Sequence, residues 1–441
     1  MSRLTTQQRK LIYLGAIVVL LIPIFLLGMP ATTEDEGGSL AQLRQEYDLG
    51  ETSLGDVDPT SATMNLVLLG MRGVATNFLW REMDEQKTTK QWAQMRATTE
   101  SIIKLQPHYL EVWRYHGWNL SFNVSAEWDG VSDRYYWVKE GAKFTMRGSN
   151  RNRKYPELYW DVGNTLGKKV GRSDEAAFFR KYFRKDPNDE LYLGGPDPDI
   201  NPENKDNYLV AKEWFEAANS AEDNMRQHIM MRALFRSYPA RSQFDYAQAL
   251  QRDGLFDEVT RIAWKDAFDG WTEDYGRMEF QTPAGPLYLE VNDLDTELDA
   301  IAKKNGATKE FMANWLSRTQ KVVNYRYWRT RALSESDPLT VKAHRELFDG
   351  ERLFKEGRLS ESEATLISGM ETYEKVLDKY QTLMIEDLSI EEGIFAVMLL
   401  QKLKKLKGEE LPERYPLKKL FAMHQNRVPY LQTEFRRRFL D

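Results

Sequence analysis

The stretch from Leu11 to Met29 reads LIYLGAIVVLLIPIFLLGM, nineteen residues without a charge. As an α-helix rising ~1.5 Å per residue, it would be about as long as the ~30 Å hydrocarbon core of a bilayer is thick. The segment therefore predicts a transmembrane anchor over residues 11–29, with the lipid bilayer as its partner. Pro23 lies inside it, which membrane helices tolerate. Arg3, Arg9 and Lys10 precede the stretch, and Glu34, Asp35 and Glu36 follow it. Basic residues stay on the cytoplasmic side. The expectation is thus a single-pass protein of the inner (cytoplasmic) membrane, with its N-terminus in the cytoplasm and the bulk of the chain on the extracytoplasmic side. A cytosol-facing domain on an organelle membrane is a lesser alternative. A cleaved signal peptide competes with the anchor, but its small-x-small site is poor, because Met29 stands two residues before Ala31.

Composition constrains the chain beyond the anchor. There are 441 residues, more than one ordinary domain holds. The 41% hydrophobic and 29% charged residues suit a folded, solvated protein. With no Cys there is no disulfide, no thiolate metal site and no Cys nucleophile. A net charge of −6 lacks the excess of Lys and Arg that a sequence-independent nucleic-acid binder needs, so no nucleic-acid partner is expected.

Patterning divides the chain into a basic cytoplasmic segment (1–10), the anchor (11–29), a polar linker (30–61), a helical domain (62–185), a Pro/Asp/Asn-rich surface loop (186–207), a second helical region (208–408) and a basic, irregular C-terminal segment (409–441). Alternating strands of Val, Ile and Thr are nearly missing from 62 onward, and helical spacing dominates. Met64–Met83 reads as a buried soluble helix, because Arg72, Asn77 and Arg81 interrupt its apolar run. Helices are expected over Gln91–Leu105, Pro107–Val124, Pro156–Lys169 and Ser173–Arg184. From Asp295 to about Lys407 the helical pattern continues, with breaks at Asn305–Gly306 and Asp337–Pro338. Phe280–Val291 is irregular and suits a short hairpin.

Lys104–Trp118, KLQPHYLEVWRYHGW, raises the question of whether its aromatics and two histidines form a reactive site or a packing unit. Trp113, Gly117 and Leu120 stand four and three apart: a large residue, a small one that lets a paired helix approach, then another large one. Tyr159, Gly163 and Leu166 keep that spacing. Gly254 fits the turn of a further unit. Gly350, Leu353, Gly357, Leu359, Ser362, Leu366 and Gly369 give the fullest copy, read as helix, Gly-bearing turn, helix. These spacings resemble the tetratricopeptide repeat (TPR). The resemblance implies an all-α fold, an irregular right-handed helix-pair array (a TPR-like α-solenoid) behind the transmembrane helix. The departures are clear. Gly117 and Gly163 lie 46 residues apart against a usual period of about 34. Ser362 replaces the commoner Ala, and His116 replaces a Leu. The chain is also similar to uncharacterised bacterial envelope proteins that join one N-terminal anchor to degenerate repeats.

Few residues carry a catalytic or metal-binding pattern. His108 and His116 lie two helical turns apart with Glu111 between them, too far apart for adjacent ligands on one helix, and no HExxH occurs. His228 sits among Met and Leu, and His344 and His424 have no partner visible in the sequence. Asp197, Asp199, Asn201 and Glu203 alternate as calcium ligands can. Pro202 replaces the Gly an EF-hand turn needs and Tyr208 stands where its bidentate Glu belongs, so a turn-rich loop is the reading taken. Glu100-Ser101 and Glu335-Ser336 resemble the Glu-Ser pair of lytic transglycosylases, without the segment that comes after it there. No nucleophile elbow, phosphate loop or dinucleotide fingerprint is present, so no catalytic residue, metal or cofactor is expected. From Gln401 to Asp441, 11 Lys and Arg oppose 5 Asp and Glu, read as a solvated face before a site for acidic partners or lipid headgroups.

The expected function is a membrane-anchored helical-repeat scaffold that mediates protein–protein interactions at the bacterial cell envelope, binding proteins or peptides. Tyr115, Trp118 and Trp137 are the candidate contacts, since Tyr and Trp are large, rigid and polar at the tip. A structural subunit of a larger membrane complex is the alternative, followed by an envelope hydrolase with an unrecognised site.

Overall fold

The computed structural model describes residues 6–28, 42, 72–223, 231–291, 293 and 295–439. Among them the fold is all-α, with one two-stranded hairpin. Helix α1 runs Thr6–Gly28 with Pro23 inside it. Its described side chains are exposed, Leu11 at 67% and Leu20 at 65% among them. Among the described residues no helix is long and apolar enough to cross a membrane. The expected anchor falls partly outside those residues: Met29, and the side chains at 18, 21 and 24–28.

The chain divides into two compact units, residues 1–162 with 220–225, and 163–219 with 226–441. This boundary cuts through the first helical domain expected over 62–185. In the first unit, α2 (Arg72–Thr88) and α3 (Trp92–Leu105) form a helix pair. The part of the predicted 64–83 helix before residue 72 lies outside the described residues, and the described part continues five residues further. Helix α4 (Leu110–Trp118) passes without a break into a π-helical turn (Asn119–Val124) and packs on α5 (Val131–Arg151). Val112, Trp113, His116 and Gly117 form the buried face of α4, a 3.6-residue stripe. Met83, Met95, Ile102, Val112, Trp113 and Leu158 belong to one core. Helix α6 (Pro156–Asn164) ends at a second π-helical turn (Thr165–Val170).

The second unit begins in that turn. Helices α7 (Ala176–Arg184) and α8 (Asp189–Tyr192) precede α9 (Asn207–Asp223), whose last turn belongs to the first unit. The stretch 186–207, expected to be a surface loop, is partly interior. Asn201 is fully buried; its amide donates to the Phe183 and Lys205 carbonyls and accepts from the Lys205 amide. The loop is fixed because its Asp and Asn side chains bond its own backbone. Then come α10 (Arg232–Arg236), α11 (Tyr238–Arg252) and α12 (Glu258–Asp269), the last capped by Asp257, which accepts from the Val259 and Thr260 amides. A π-helical turn (Gly270–Tyr275) leads to the hairpin, β1 (Phe280–Thr282) paired antiparallel with β2 (Gly285–Leu287).

Helices α13 (Glu297–Lys304), α14 (Lys309–Val323) and α15 (Tyr325–Glu335) come next. Asp337 caps α16 (Pro338–Lys355), with Pro338 in the first turn, where a missing N–H costs nothing. Gly357 at φ +76° turns the chain into α17 (Leu359–Lys379). Helix α18 (Asp387–Lys407) is buried around most of its circumference, from Gly393 through Leu400 at every position. It is the centre of a core with Leu347, Leu366, Met370 and Phe435. Each fully buried Leu, Ile or Phe there contributes about 1.5–3 kcal/mol relative to exposure. The expectation of an irregular 409–441 segment is corrected: it holds α19 (Lys418–Met423) and α20 (Val428–Phe439). Leu431, Phe435 and Phe439, spaced four apart, bury one face of α20, and the basic residues lie between them.

Candidate functional site

The close helix approaches built from small residues position the site. A Cβ on Gly350 would lie 3.1 Å from the Leu366 Cα, and one on Gly369 would lie 2.8 Å from the Leu347 amide nitrogen. Ser362 Oγ donates to the Gly350 carbonyl at 2.7 Å. These contacts bring α16 and α17 together and fix where His344 and Tyr373 meet. Gly254, at φ +80°, ends α11 so tightly that a Cβ there would lie 2.8 Å from the Phe348 ring. A cavity of about 510 Å³ lies beside this arrangement. Helices α11, α15, α16, α17, α18 and α20 all contribute to its wall.

His344 is its organising group. Nδ1 lies 2.6 Å from Glu392 Oε1 and Nε2 lies 3.1 Å from Glu335 Oε2. Burial alone would push the imidazole pKa down. The charges of Glu392 and Glu335, and their hydrogen bonds, outweigh burial and hold it well above the ordinary value. Both ring nitrogens therefore carry protons and both are in use. Glu335 is also buried, which favours its neutral acid, but His344, Arg331 and a 2.8 Å hydrogen bond from Gln251 Nε2 pull its pKa down to about 2. Arg331 and Glu335 sit one turn apart on α15, and Arg331 Nη1 donates to the Tyr327 hydroxyl at 2.7 Å. Burial pushes the Tyr373 phenol well above its ordinary value; its hydroxyl donates to the Ser389 carbonyl at 3.2 Å. The cluster is a set of fixed charges. His344 cannot accept a proton, and Glu335 holds none to give.

The unfilled capacity lies at the other carboxylates of the wall. Arg438 Nη2 meets both oxygens of Glu351, at 2.9 and 2.8 Å. Glu391 and Glu434 have no cation within ion-pair distance among the described residues. Burial raises the Glu391 pKa, and the nearby Glu434 and Asp387 charges raise it further. Leu388, nearly half exposed, and Phe395 give the same wall an apolar strip.

The residues singled out from the sequence fall elsewhere or play other parts. Trp113 is fully buried, donates from Nε1 to the Pro107 carbonyl at 2.8 Å and packs on Gly148. Gly117 lies against Gly141, its hypothetical Cβ 3.3 Å from the Gly141 carbonyl, and Leu120 is buried. Tyr159 is half-buried, and Gly163 accommodates the Phe215 ring. Tyr115 is half-buried, its hydroxyl accepting from Lys87 at 2.7 Å. Trp118 is 49% exposed and stacks on Phe122, while Trp137 is half-buried between Trp128 and Tyr136.

His108 and His116 do not share a site. His108 Nδ1 is bonded to Asn152 Oδ1 at 3.0 Å. His116 lies in the core against Phe144, and burial, helped by Arg96 and Arg147, lowers its pKa to about 3. His424 Nε2 bonds the Met384 carbonyl at 2.8 Å, and His228 lies outside the described residues. Asp197 and Asn201 serve their own loop, Asp197 accepting from the Tyr192 hydroxyl and the Asp199 amide. Among the described residues no three His, Asp or Glu are grouped to hold a metal ion. Glu100 pairs with Arg147, and Glu335 is the buried partner of His344.

No known protein family, curated protein or solved structure matches this chain. The sequence reading missed the His344 site because its members lie on separate helices, from Gln251 to Arg438. The one local signal was Arg331 and Glu335 at i, i+4, a spacing too common to point anywhere alone.

Proposed function

We propose that this protein is a membrane-anchored, TPR-like helical scaffold of the bacterial cell envelope, held by residues 11–29 with its bulk on the extracytoplasmic side. On this reading the His344 cavity receives a basic side chain of a partner protein. One observation carries the proposal: Glu391 and Glu434 have no cation within ion-pair distance among the described residues and face a space bounded by Leu388 and Phe395, while the unpaired cation of the wall, Arg252, donates to the Tyr208 hydroxyl at 3.1 Å. A Lys or Arg has the matching chemistry, an apolar stem and a cationic tip. The Gly350–Ser362 and Gly369–Leu347 approaches support the repeat-like reading of α16 and α17. Helix α1 supports the anchor. From Leu11 onward it carries no charge, yet its described side chains are uncovered.

A photo-crosslinking benzoylphenylalanine at Leu388, in the full chain in its own membranes, tests this. The expected result is a discrete crosslinked protein, lost on Glu391→Lys with Glu434→Lys and retained on Glu310→Lys, a distant surface control. No adduct, or an adduct indifferent to both charge reversals, would overturn the assignment. Exposure of Trp118, Trp128 and Tyr136 favours a second reading, a structural subunit whose first unit is covered by another chain.

A further inference from the structure

A second cavity of the second unit has a different chemistry. It measures about 420 Å³ and is lined by residues of α6, the Thr165–Val170 π-helical turn, α11, α14 and α15. Arg241 lies in its wall. Its Nε donates to Ser237 Oγ at 2.8 Å and its Nη2 to the Val323 carbonyl at 2.6 Å, both neutral acceptors. Among the described residues no carboxylate lies within ion-pair distance of it. The one acid in the wall, Asp245, is engaged by Arg172. Burial lowers the Arg241 pKa from its ordinary value and outweighs the opposing influence of Tyr275, Tyr238 and Asp245.

Asn164 faces the same space. Its Oδ1 is buried and has no hydrogen-bond partner. An amide can present either end by turning over. The π-helical turn just after it presents Lys168 from the same wall, at the surface, with no acid paired to it among the described residues. Single π-helical turns within helices are frequent at functional sites. The wall also has an apolar side. Trp328 is held flat against Phe244, ring centroids 4.6 Å apart at 11°, and Phe215, Leu234 and the exposed Val322 complete it.

We infer that this cavity binds a carboxylate carried on an aromatic or branched apolar body, with Arg241 and Lys168 as counter-charges, the Asn164 amide as a donor and Trp328 as the shelf for the body. The carboxylate can belong to a free small molecule or to the C-terminus of a peptide. Both sources present the same group, and the test separates them. The site is independent of the His344 cavity and of any reading placed on it.

Titration calorimetry on the detergent-solubilised full chain tests the inference, with phenylpropionate, phenylpropanol, inorganic phosphate, and tetrapeptides ending in Phe with a free or an amidated C-terminus. Phenylpropionate is expected to bind about tenfold or more tighter than phenylpropanol, since a charge-assisted hydrogen bond separates the two. Phosphate, lacking an apolar body, is expected to bind weakly. Asn164→Asp sets a carboxylate at the amide position and is expected to weaken phenylpropionate about tenfold or more. Because the Asn164 side chain has no protein partner, this variant breaks no hydrogen bond, and circular dichroism with thermal melting checks that the fold is intact. Arg241→Gln is expected to abolish binding, and Lys168→Glu to weaken it with a salt dependence. A free-acid peptide binding tighter than phenylpropionate assigns a peptide terminus; the reverse order assigns a small molecule. No binding of any carboxylate, equal binding of acid and alcohol, or full affinity in Asn164→Asp would each overturn the proposal.

Discussion

Replacing His344 by Gln removes the cation from a buried cluster in which Arg331 and His344 oppose Glu335 and Glu392. The side chains of His344 and Glu335 are each 9% exposed, so the loss occurs where water cannot compensate. Taking one partner from a buried ion pair costs about 3–5 kcal/mol. The low end, about 3 kcal/mol, is expected here, because two groups relieve the strain. The Glu392 side chain is 35% exposed and can turn to solvent, and Arg331 remains 3.6 Å from Glu335. At about 1.36 kcal/mol per factor of ten, amides of α16 should lose protection from hydrogen exchange by about 100-fold or more.

The pH dependence has a definite sign. His344 has a raised pKa, so its contribution is complete below the ordinary value of 6.5 and is lost as the pH rises through the folded value. Glu335 has a lowered pKa, so its contribution is complete above 4.5 and is lost as the pH falls toward about 2. The difference between the native protein and His344→Gln should therefore be greatest between pH 4.5 and 6.5 and shrink at alkaline pH. Hydrogen exchange by mass spectrometry on the full chain, corrected for intrinsic rates, reads this directly. Protection of α16 changed by less than about threefold near pH 6, or a difference that grows with rising pH, would refute the charge assignment.

Other perturbations probe the remaining features. Gly369→Ala should destabilise the second unit by about 1–3 kcal/mol, since its Cβ meets the Leu347 backbone and the helices must part. Gly393→Ala meets only the end of the Leu420 side chain and should be far milder in the same thermal melts. His116→Leu should be neutral or stabilise by about 1 kcal/mol, because Nε2 is buried without a partner and Thr99 keeps its bond to the Met95 carbonyl. It should also remove a loss of stability that, in the native protein, sets in as the pH falls below 6.5 toward about 3, where the unfolded imidazole takes a proton and the buried one does not. A strong loss of stability in His116→Leu at neutral pH would contradict this. Finally, the full chain should resist alkaline extraction from membranes and a chain starting after residue 29 should not. Release of both would remove the anchor.

Much of the helical framework was legible because it is local. The Gln91–Leu105 pattern yields α3, Asp337–Pro338 starts α16, Gly357 turns it into α17, and the Phe280–Val291 stretch holds the hairpin. Each depends on residues within a few positions, through periodicity, capping or a positive φ. The repeat spacing also pointed to Gly350, Gly369 and Gly117 as places of close approach, since only a small residue allows backbones to meet. Two local readings failed for want of context. The 186–207 stretch looked like solvent-facing turns, but Asn201 bonds the Phe183 carbonyl and is interior. The basic C-terminus looked irregular, but Leu431, Phe435 and Phe439 find a core supplied by α18 and α16.

The sequence by itself determined the all-α class, the lack of thiol chemistry and the uncharged 11–29 segment, because composition and spacing along the chain carry that information. Only the tertiary structure decided which polar groups meet. His344 reads as a lone histidine in the sequence, 9 residues from Glu335 and 48 from Glu392, and the fold makes it a buried imidazolium between them. Arg241 and Asn164 stand 77 residues apart and share a cavity. Electrostatic partners are chosen by distance in space, and the packing of helices around α18 and at the glycine contacts sets that distance.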